Sequence, residues 1–492
     1  MKHSDADAGD RFRQGWQQLD RQAFQLYEQG RHDEAIRMAT QACELARQQF
    51  GADHPDYATS LGNMAVLRMR MSNYTTAEPL MRQALEIKRK ALGEDHPDYV
   101  NSLNNLAGLY YYMGNHAESA QLYHQVVNIK RTIMGENDPD YIASLNNLTE
   151  IYRSMGNYAA AEPLCLQALE IRRKALGEDD PDYATSLNNL AVLYRAMGKN
   201  AAAEPLLCQA LRISRKTLGE DHPDYATNLD NLAVLYVVMG KFAEAEPLFH
   251  QALEIKRKAL GEDHPDYAIS LNNLAEFYRA MGNDAAAAPL YNQAIEIWAL
   301  GEDRLSYATG LNNLGRLYHD QRNYAAAEAL LREALKIRGE VVGESHPDYI
   351  QSLNHLAKLY LDLRNYSAAE PLLREALKIG RKTQGEDHPD YATSLENLAV
   401  LYHNMGRSAE AKPLVRQALE IKRKALGEDH PGYTTSLNYL GNLYHDAGDY
   451  SAAEALYRQA LEIARKARGG NHPELAKSLK NLADLYRGMG NY

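Results

Sequence analysis

The stretch GEDHPDYATSLENLAVLYHNMG, residues 385–406, is written again almost letter for letter as GEDDPDYATSLNNLAVLYRAMG from Gly177 and GEDHPDYATNLDNLAVLYVVMG from Gly219. A sentence repeated this closely makes its period the first thing to measure. Pro55, Pro97, Pro139, Pro181, Pro223 and Pro265 stand 42 residues apart. The next copy reads GEDRLSY, with Leu305 in the proline's place 40 residues on. The 42-residue spacing resumes through Pro347, Pro389, Pro431 and Pro473. The other seven of the 17 prolines (Pro79, Pro163, Pro205, Pro247, Pro289, Pro371 and Pro413) share a second fixed place.

Each unit reads as two helices. In the unit at 181–222, Leu187, Leu190, Ala191 and Tyr194 are spaced i, i+3, i+4, i+7, the apolar stripe of an amphipathic helix. Gly198 ends it, and a second stripe follows through Ala203, Leu206, Leu207, Ala210, Leu211 and Ile213 to Gly219. No strand-like alternation occurs. Pro205 lacks a backbone donor, so a late start or a slight kink is expected in the second helix.

In GEDHPDY the Gly closes one helix and the Pro opens the next. The residue before Pro is then an N-cap, and Asp138 and Asp180 replace His there in two copies. Aspartate is a strong cap and a poor substitute for a catalytic or metal-bound imidazole. His-Pro-Asp is also the tripeptide of J-domain co-chaperones, which carry it once. Here His54, His96, His222, His264, His346 and His388 carry it at repeat spacing, so it reads as punctuation.

The totals exclude several functions. Net charge is −11, against a nucleic-acid binder with a basic face. Cys43, Cys165 and Cys208 are odd in number and sit in different units, so a reducing, cytoplasmic setting is expected. There is no signal-peptide core and no apolar run long enough for a membrane span. No phosphate loop, zinc spacing or nucleophile motif appears, so no enzyme activity, cofactor or metal is expected.

Leu187, Leu190, Ala191 and Tyr194, then Gly198, Ala203 and Ala210, match the tetratricopeptide signature, and the whole chain resembles that family. The 42-residue length, with EIKRKALGEDHPDYA at 254–268, is similar to the kinesin light chain type. The resemblance implies an all-α, right-handed superhelical solenoid of antiparallel helix pairs. First helices line a concave groove that takes partner peptides, and second helices form the outer wall. The expected layout is a polar tail at 1–12 and a degenerate repeat at 13–54. Ten tandem repeats follow at 55–472, and a capping half-repeat at 473–492. The heptad coiled coil that kinesin light chains carry ahead of their repeats is not found here.

The groove-facing candidates are one asparagine per first helix: Asn104, Asn146, Asn188, Asn272, Asn312, Asn354 and Asn438. An amide offers donors and an acceptor, and groove asparagines hold peptide backbones in the family. Two readings stay open: contact with a peptide, or a ladder between adjacent helices. A second asparagine follows in most copies, on the packed side. Val192, Arg153, Arg195 and Arg279 lie at the positions that vary, and the arginines suit an acidic peptide. Glu276 lies one turn from Arg279 and is placed to pair with it. The leading expectation is a non-catalytic scaffold for a protein or peptide partner, with no nucleic acid and no membrane, as a monomer or weak end-to-end dimer. The alternative is a self-assembling spacer acting through its ends or convex face.

Overall fold

In a computed structural model, the described residues are 15–27, 29–301, 303–428, 430–468 and 473–489. The expected polar tail at 1–12 lies outside them. The chain divides into two compact units, 1–151 and 152–492. The first holds α1 (15–27), α2 (His32–Phe50), α3 (Pro55–Arg70), α4 (Tyr74–Leu92), α5 (Pro97–Tyr112), α6 (His116–Ile133) and most of α7 (Pro139–Ser154). The second continues with α8 (Tyr158–Leu176), α9 (Pro181–Ala196), α10 (Asn200–Thr217), α11 (Pro223–Val238), α12 (Phe242–Leu260), α13 (Pro265–Ala280), α14 (Asp284–Leu300) and α15 (Arg304–Asp320). It is completed by α16 (Tyr324–Val341), α17 (Pro347–Asp362), α18 (Tyr366–Thr383), α19 (Pro389–Asn404), α20 (Ser408–Leu426), α21 (Pro431–His445), α22 (Tyr450–Arg468) and α23 (Pro473–Gly488). Odd-numbered helices are the first helices of the repeats. Among the described residues there is no strand, and no helix is long and apolar enough to cross a membrane.

The apolar stripes become the core. In the α9–α10 pair Leu187, Leu190, Ala191, Leu193, Ala203, Leu207 and Ala210 are buried, as is Tyr183 from the repeated Pro-Asp-Tyr. Alanine at fixed places lets the helix axes approach closely, and leucine fills the space between.

The loop histidines act as N-caps. Nδ1 of His54, His96, His222, His264 and His346 accepts from the N–H two residues on at 3.1 Å. Asp138 and Asp180 do the same with a carboxylate oxygen at 2.8 Å. The imidazole therefore serves as a neutral acceptor at a helix start. Pro205 corrects the expected late start: α10 begins at Asn200 and runs through it. The carbonyl that loses its donor is that of Ala201, which is exposed and open to water.

The turns inside each repeat need a left-handed residue. At Gly198 (φ 72°) the chain reverses with Gly198 N–H donating to Arg195 O at 3.0 Å and Lys199 N–H to Tyr194 O at 2.8 Å. Ser72, Arg322 and Arg364 hold the same conformation with a side chain. Two of the glycines have a further constraint, because the second unit returns against itself. A Cβ on Gly198 would lie 2.6 Å from Cδ2 of His430, and one on Gly156 would lie 2.7 Å from Cδ of Pro389. Beside them, Nε2 of His388 stands 3.0 Å from Ser154 O. This contact leaves the His388 side chain 6% exposed, against 41% for the equivalent His222.

Gly198→Ala and Gly282→Ala separate the two constraints, since Gly282 has the same φ and nothing within 4 Å of its Cβ position. Gly282→Ala is expected to cost about 1–2 kcal/mol from backbone strain. Gly198→Ala should cost clearly more, read as the difference in denaturation midpoint.

Candidate functional site

In the second unit the asparagine position of the first helices lies between neighbouring repeats. Asn188 Oδ1 accepts from Asn231 Nδ2 at 3.1 Å, Asn272 Oδ1 from Asn313 at 2.9 Å, and Asn354 Oδ1 from Asn397 at 3.1 Å. Asn438 Oδ1 accepts from Asn481 at 3.2 Å, and its Nδ2 donates to Ser478 at 3.0 Å. Asn312 Oδ1 meets His355 Nδ1 at 2.9 Å. The two asparagine positions thus form a ladder, each rung tying one first helix to the next. Asn312 and Asn438 are 1% exposed, which corrects the expectation that they face a ligand. Asn354 spends both ends of its amide, the Nδ2 on Ser394 Oγ at 2.9 Å. Asn104, Asn146, Asn188 and Asn272 stay half-buried, and Asn146 Oδ1 has no partner among the described residues.

Where Asp230 and Glu396 replace the asparagine, a buried lysine answers each. Asp230 Oδ2 is 3.0 Å from Lys256 Nζ, with both side chains 5% exposed, and accepts from Ser270 Oγ. Glu396 Oε2 is 2.7 Å from Lys422 Nζ, and its Oε1 accepts from Ser436. Burial pushes the Asp230 carboxyl up, against the pull of Lys256 and Ser270. The lysines are the first basic residues of the IKRK text at 255–258 and 421–424, where Arg257, Lys258, Arg423 and Lys424 are exposed. Lys256 and Lys422 are instead buried beneath the first helices.

The arginines do not form one group. Arg279 is spent: Nη2 donates to Glu276 Oε2 and Nη1 to Asp320 Oδ2, both at 3.0 Å. Burial works against the Glu276 carboxylate, but Arg279, Arg316 and Tyr291 outweigh it and hold the carboxyl below its usual range. Arg195 occupies the equivalent place two repeats earlier, with Val192 where Glu276 stands and Val238 where Asp320 stands. It has no carboxylate partner among the described residues. Burial and the like charge of Arg153 push its guanidinium below the ordinary value.

Farther along, α13, α15, α17 and α19 line a cavity of about 370 Å³ that includes Arg279, Arg316, His355, Lys358 and Asn397. Lys358 is exposed there, with no ion pair among the described residues. Burial, and then Arg316, Arg338, Lys358 and Arg279, push the His355 imidazole down to about 3.

The tetratricopeptide repeat profile matches residues 18–68, 56–132, 140–216, 225–300, 270–340, 306–382, 348–424, 390–466 and 433–492. Among solved structures, a kinesin light chain-type protein of Podosopora anserina with nearly identical repeats is 30% identical, at a TM-score of 0.38. That match covers 42% of this chain and 98% of the other. BtubC (BKLC) from P. vanneervenii is 23% identical over 48% of this chain and 93% of its own, with a TM-score of 0.37. Yeast Tom70 is 14% identical over 97% of this chain and 96% of its own, with a TM-score of 0.48. No curated protein matches the sequence.

Lys256→Met alone strands a buried carboxylate and is expected to destabilise by about 3–5 kcal/mol in chemical denaturation. Adding Asp230→Asn, the residue most repeats carry, should recover most of that loss. His355 gives a pH test. Its folded value lies below its ordinary 6.5, so between 6.5 and about 3 the unfolded chain binds a proton that the folded chain refuses. Its contribution is full above 6.5 and is lost as pH falls through that window. His355→Asn, matching Asn313 and Asn397, should flatten the acid limb of a stability–pH curve.

Proposed function

The chain belongs to the tetratricopeptide repeat family, and from that premise we propose that its first-helix face holds an extended, acidic segment of a partner protein. The observation that carries this reading is Arg195, a half-buried guanidinium beside Arg153 with no carboxylate of its own. Leaving a charge partly desolvated and unpaired is costly, and a ligand carboxylate removes that cost through bidentate hydrogen bonds. Arg279 supplies the pattern, since Glu276 and Asp320 do for it what a ligand would do for Arg195. In the second unit the partner's backbone would run past the amide capacity left at Asn188 and Asn272, with Val192 as an apolar contact, and Asn104 and Asn146 offer the same capacity within the first unit. At about 0.5–1.5 kcal/mol per hydrogen bond, four or five bonds with side-chain contacts reach roughly −8 kcal/mol, a micromolar complex.

Capture from a lysate of the source cell tests the reading, with the full chain as bait and circular dichroism confirming equal helicity. Arg195→Gln should lose an acidic partner that Arg279→Gln and wild type both retain. Retention of every partner by Arg195→Gln would place binding elsewhere on the solenoid.

A further inference from the structure

The buried acid–lysine–serine sites of the second unit follow fixed offsets. The lysine comes 26 residues after the acid, and the serine of the next first helix comes 40 after it. In other repeats the second asparagine of the next repeat, 43 residues on, donates to this position, as Asn63 does to Asp20 at 2.9 Å and Asn231 to Asn188, whereas Asp230 Oδ1 has no partner among the described residues and Tyr439 stands at that offset from Glu396. In the first unit the same position in α3 is Gly62, which has no side chain to accept anything. Its donors are nevertheless all present at those offsets: Lys88, Ser102 and Asn105.

None of the three has a hydrogen bond or ion pair among the described residues. Lys88 is 7% exposed and Ser102 is 9% exposed. Asp98 and Asp56 lie in the field of Lys88 without reaching ion-pair distance, and burial pushes its ammonium down all the same. Other repeats show how unusual this is. Lys130 donates to Asp140 O at 3.2 Å, and Arg172 donates to Asp182 O at 2.7 Å. The space is also open, because a Cβ built on Gly62 meets nothing within 4 Å and the residue is only half-buried.

We infer that Lys88, Ser102 and Asn105 form a receptor for one carboxylate, entered through the gap above Gly62 and filled by an Asp or Glu side chain of a bound partner segment. The ligand carboxylate takes the place that Asp230 and Glu396 fill from within the chain. Its oxygens accept from the ammonium, the hydroxyl and the amide together. The site's chemistry stands on these residues alone; only the source of the carboxylate rests on the groove reading above. It lies in a different unit from Arg195, so the two sites are tested separately.

The test uses the full-length chain. Gly62→Asp supplies the carboxylate in cis and should slow amide exchange in α5 and raise the thermal midpoint relative to Gly62→Ala, which controls for helix propensity. In a Lys88→Met background that advantage should vanish. A fluorescein-labelled hexaglutamate peptide should bind wild type and Gly62→Ala alike. It should bind at least about ten-fold more weakly to Gly62→Asp, Lys88→Met and the charge-neutral Ser102→Ala. Lys90→Met, an exposed lysine two residues on, should leave its affinity unchanged. If Gly62→Asp behaves like Gly62→Ala in both backgrounds, the site does not exist. If it stabilises while hexaglutamate affinity stays the same, the site is real but takes no partner side chain. Displacement of the peptide by sodium acetate, against chloride at equal ionic strength, would likewise make it a site for small free carboxylates. Arg195→Gln should leave hexaglutamate affinity unchanged, because Arg195 lies in the other unit, and a loss equal to that of Lys88→Met would overturn the assignment of the peptide to the Gly62 site.

Discussion

The stack depends on one polar position per first helix, where each repeat turns a side chain toward the next and water is largely excluded. A polar group there must be answered across the interface or it destabilises the fold by more than a hydrogen bond contributes. The chain answers in several ways. Asparagine meets asparagine or His355, and Asn438 also meets Ser478. Asp230 and Glu396 recruit a lysine from their own second helix and a serine from the following first helix. Asp20 takes Ser60 and Asn63 but has Ala46 where the lysine would be, and burial pushes its carboxyl up. Where they are present, these rungs fix the rotation of one first helix relative to its neighbour, which general apolar packing would leave less closely defined.

His-Pro-Asp solves a different problem with an unexpected atom. A helix start needs an acceptor for orphan N–H groups, and the neutral imidazole nitrogen meets that need with nearly the geometry of Asp180. Proline fixes the backbone, and the following aspartate suits the positive end of the helix dipole. Histidine adds a second nitrogen that aspartate lacks. At His388 that nitrogen reaches Ser154 O across the returning coil of the second unit. One cap therefore starts a helix locally and ties distant repeats of the second unit together.

Period, helix pairs, turns and caps were legible in the sequence because each is set by residues close in the chain. Leu187, Ala203 and Gly198 announce their roles through spacing alone. The polar rungs were not legible in that way. EIKRKAL occurs identically at 86–92, 254–260 and 420–426, yet Lys88, Lys256 and Lys422 differ in what they touch. The difference is decided 26 residues earlier, by Gly62, Asp230 or Glu396. A signal did exist: acids enter the asparagine position only at Asp20, Asp230 and Glu396, and the latter two coincide with lysines at one offset. Spacing also could not tell ladder from groove for Asn312 and Asn438, since both readings put them on one helix face. Only the offset between neighbouring helices decides it. Pairing was legible for Arg279 and Glu276, which share a helix, and not for Asp320, which comes from the next.

A nearly identical repeat is an internal control, and function in such a chain concentrates where the copies disagree. Arg279 and Arg195 occupy one place in the repeat, and the backbone around them is the same. What separates them is the loss of two carboxylates, at Val192 and Val238, which turns a structural ion pair into an unanswered charge. The same comparison sets Gly62 against Asp230. In each case the shared fold supplies the geometry, and a single departure changes what that geometry is ready to accept. Selection for a particular partner can then act on one residue in one repeat without disturbing the helices that position it, because each repeat packs chiefly on its neighbours, the returning contacts at Ser154, Gly156 and Gly198 apart.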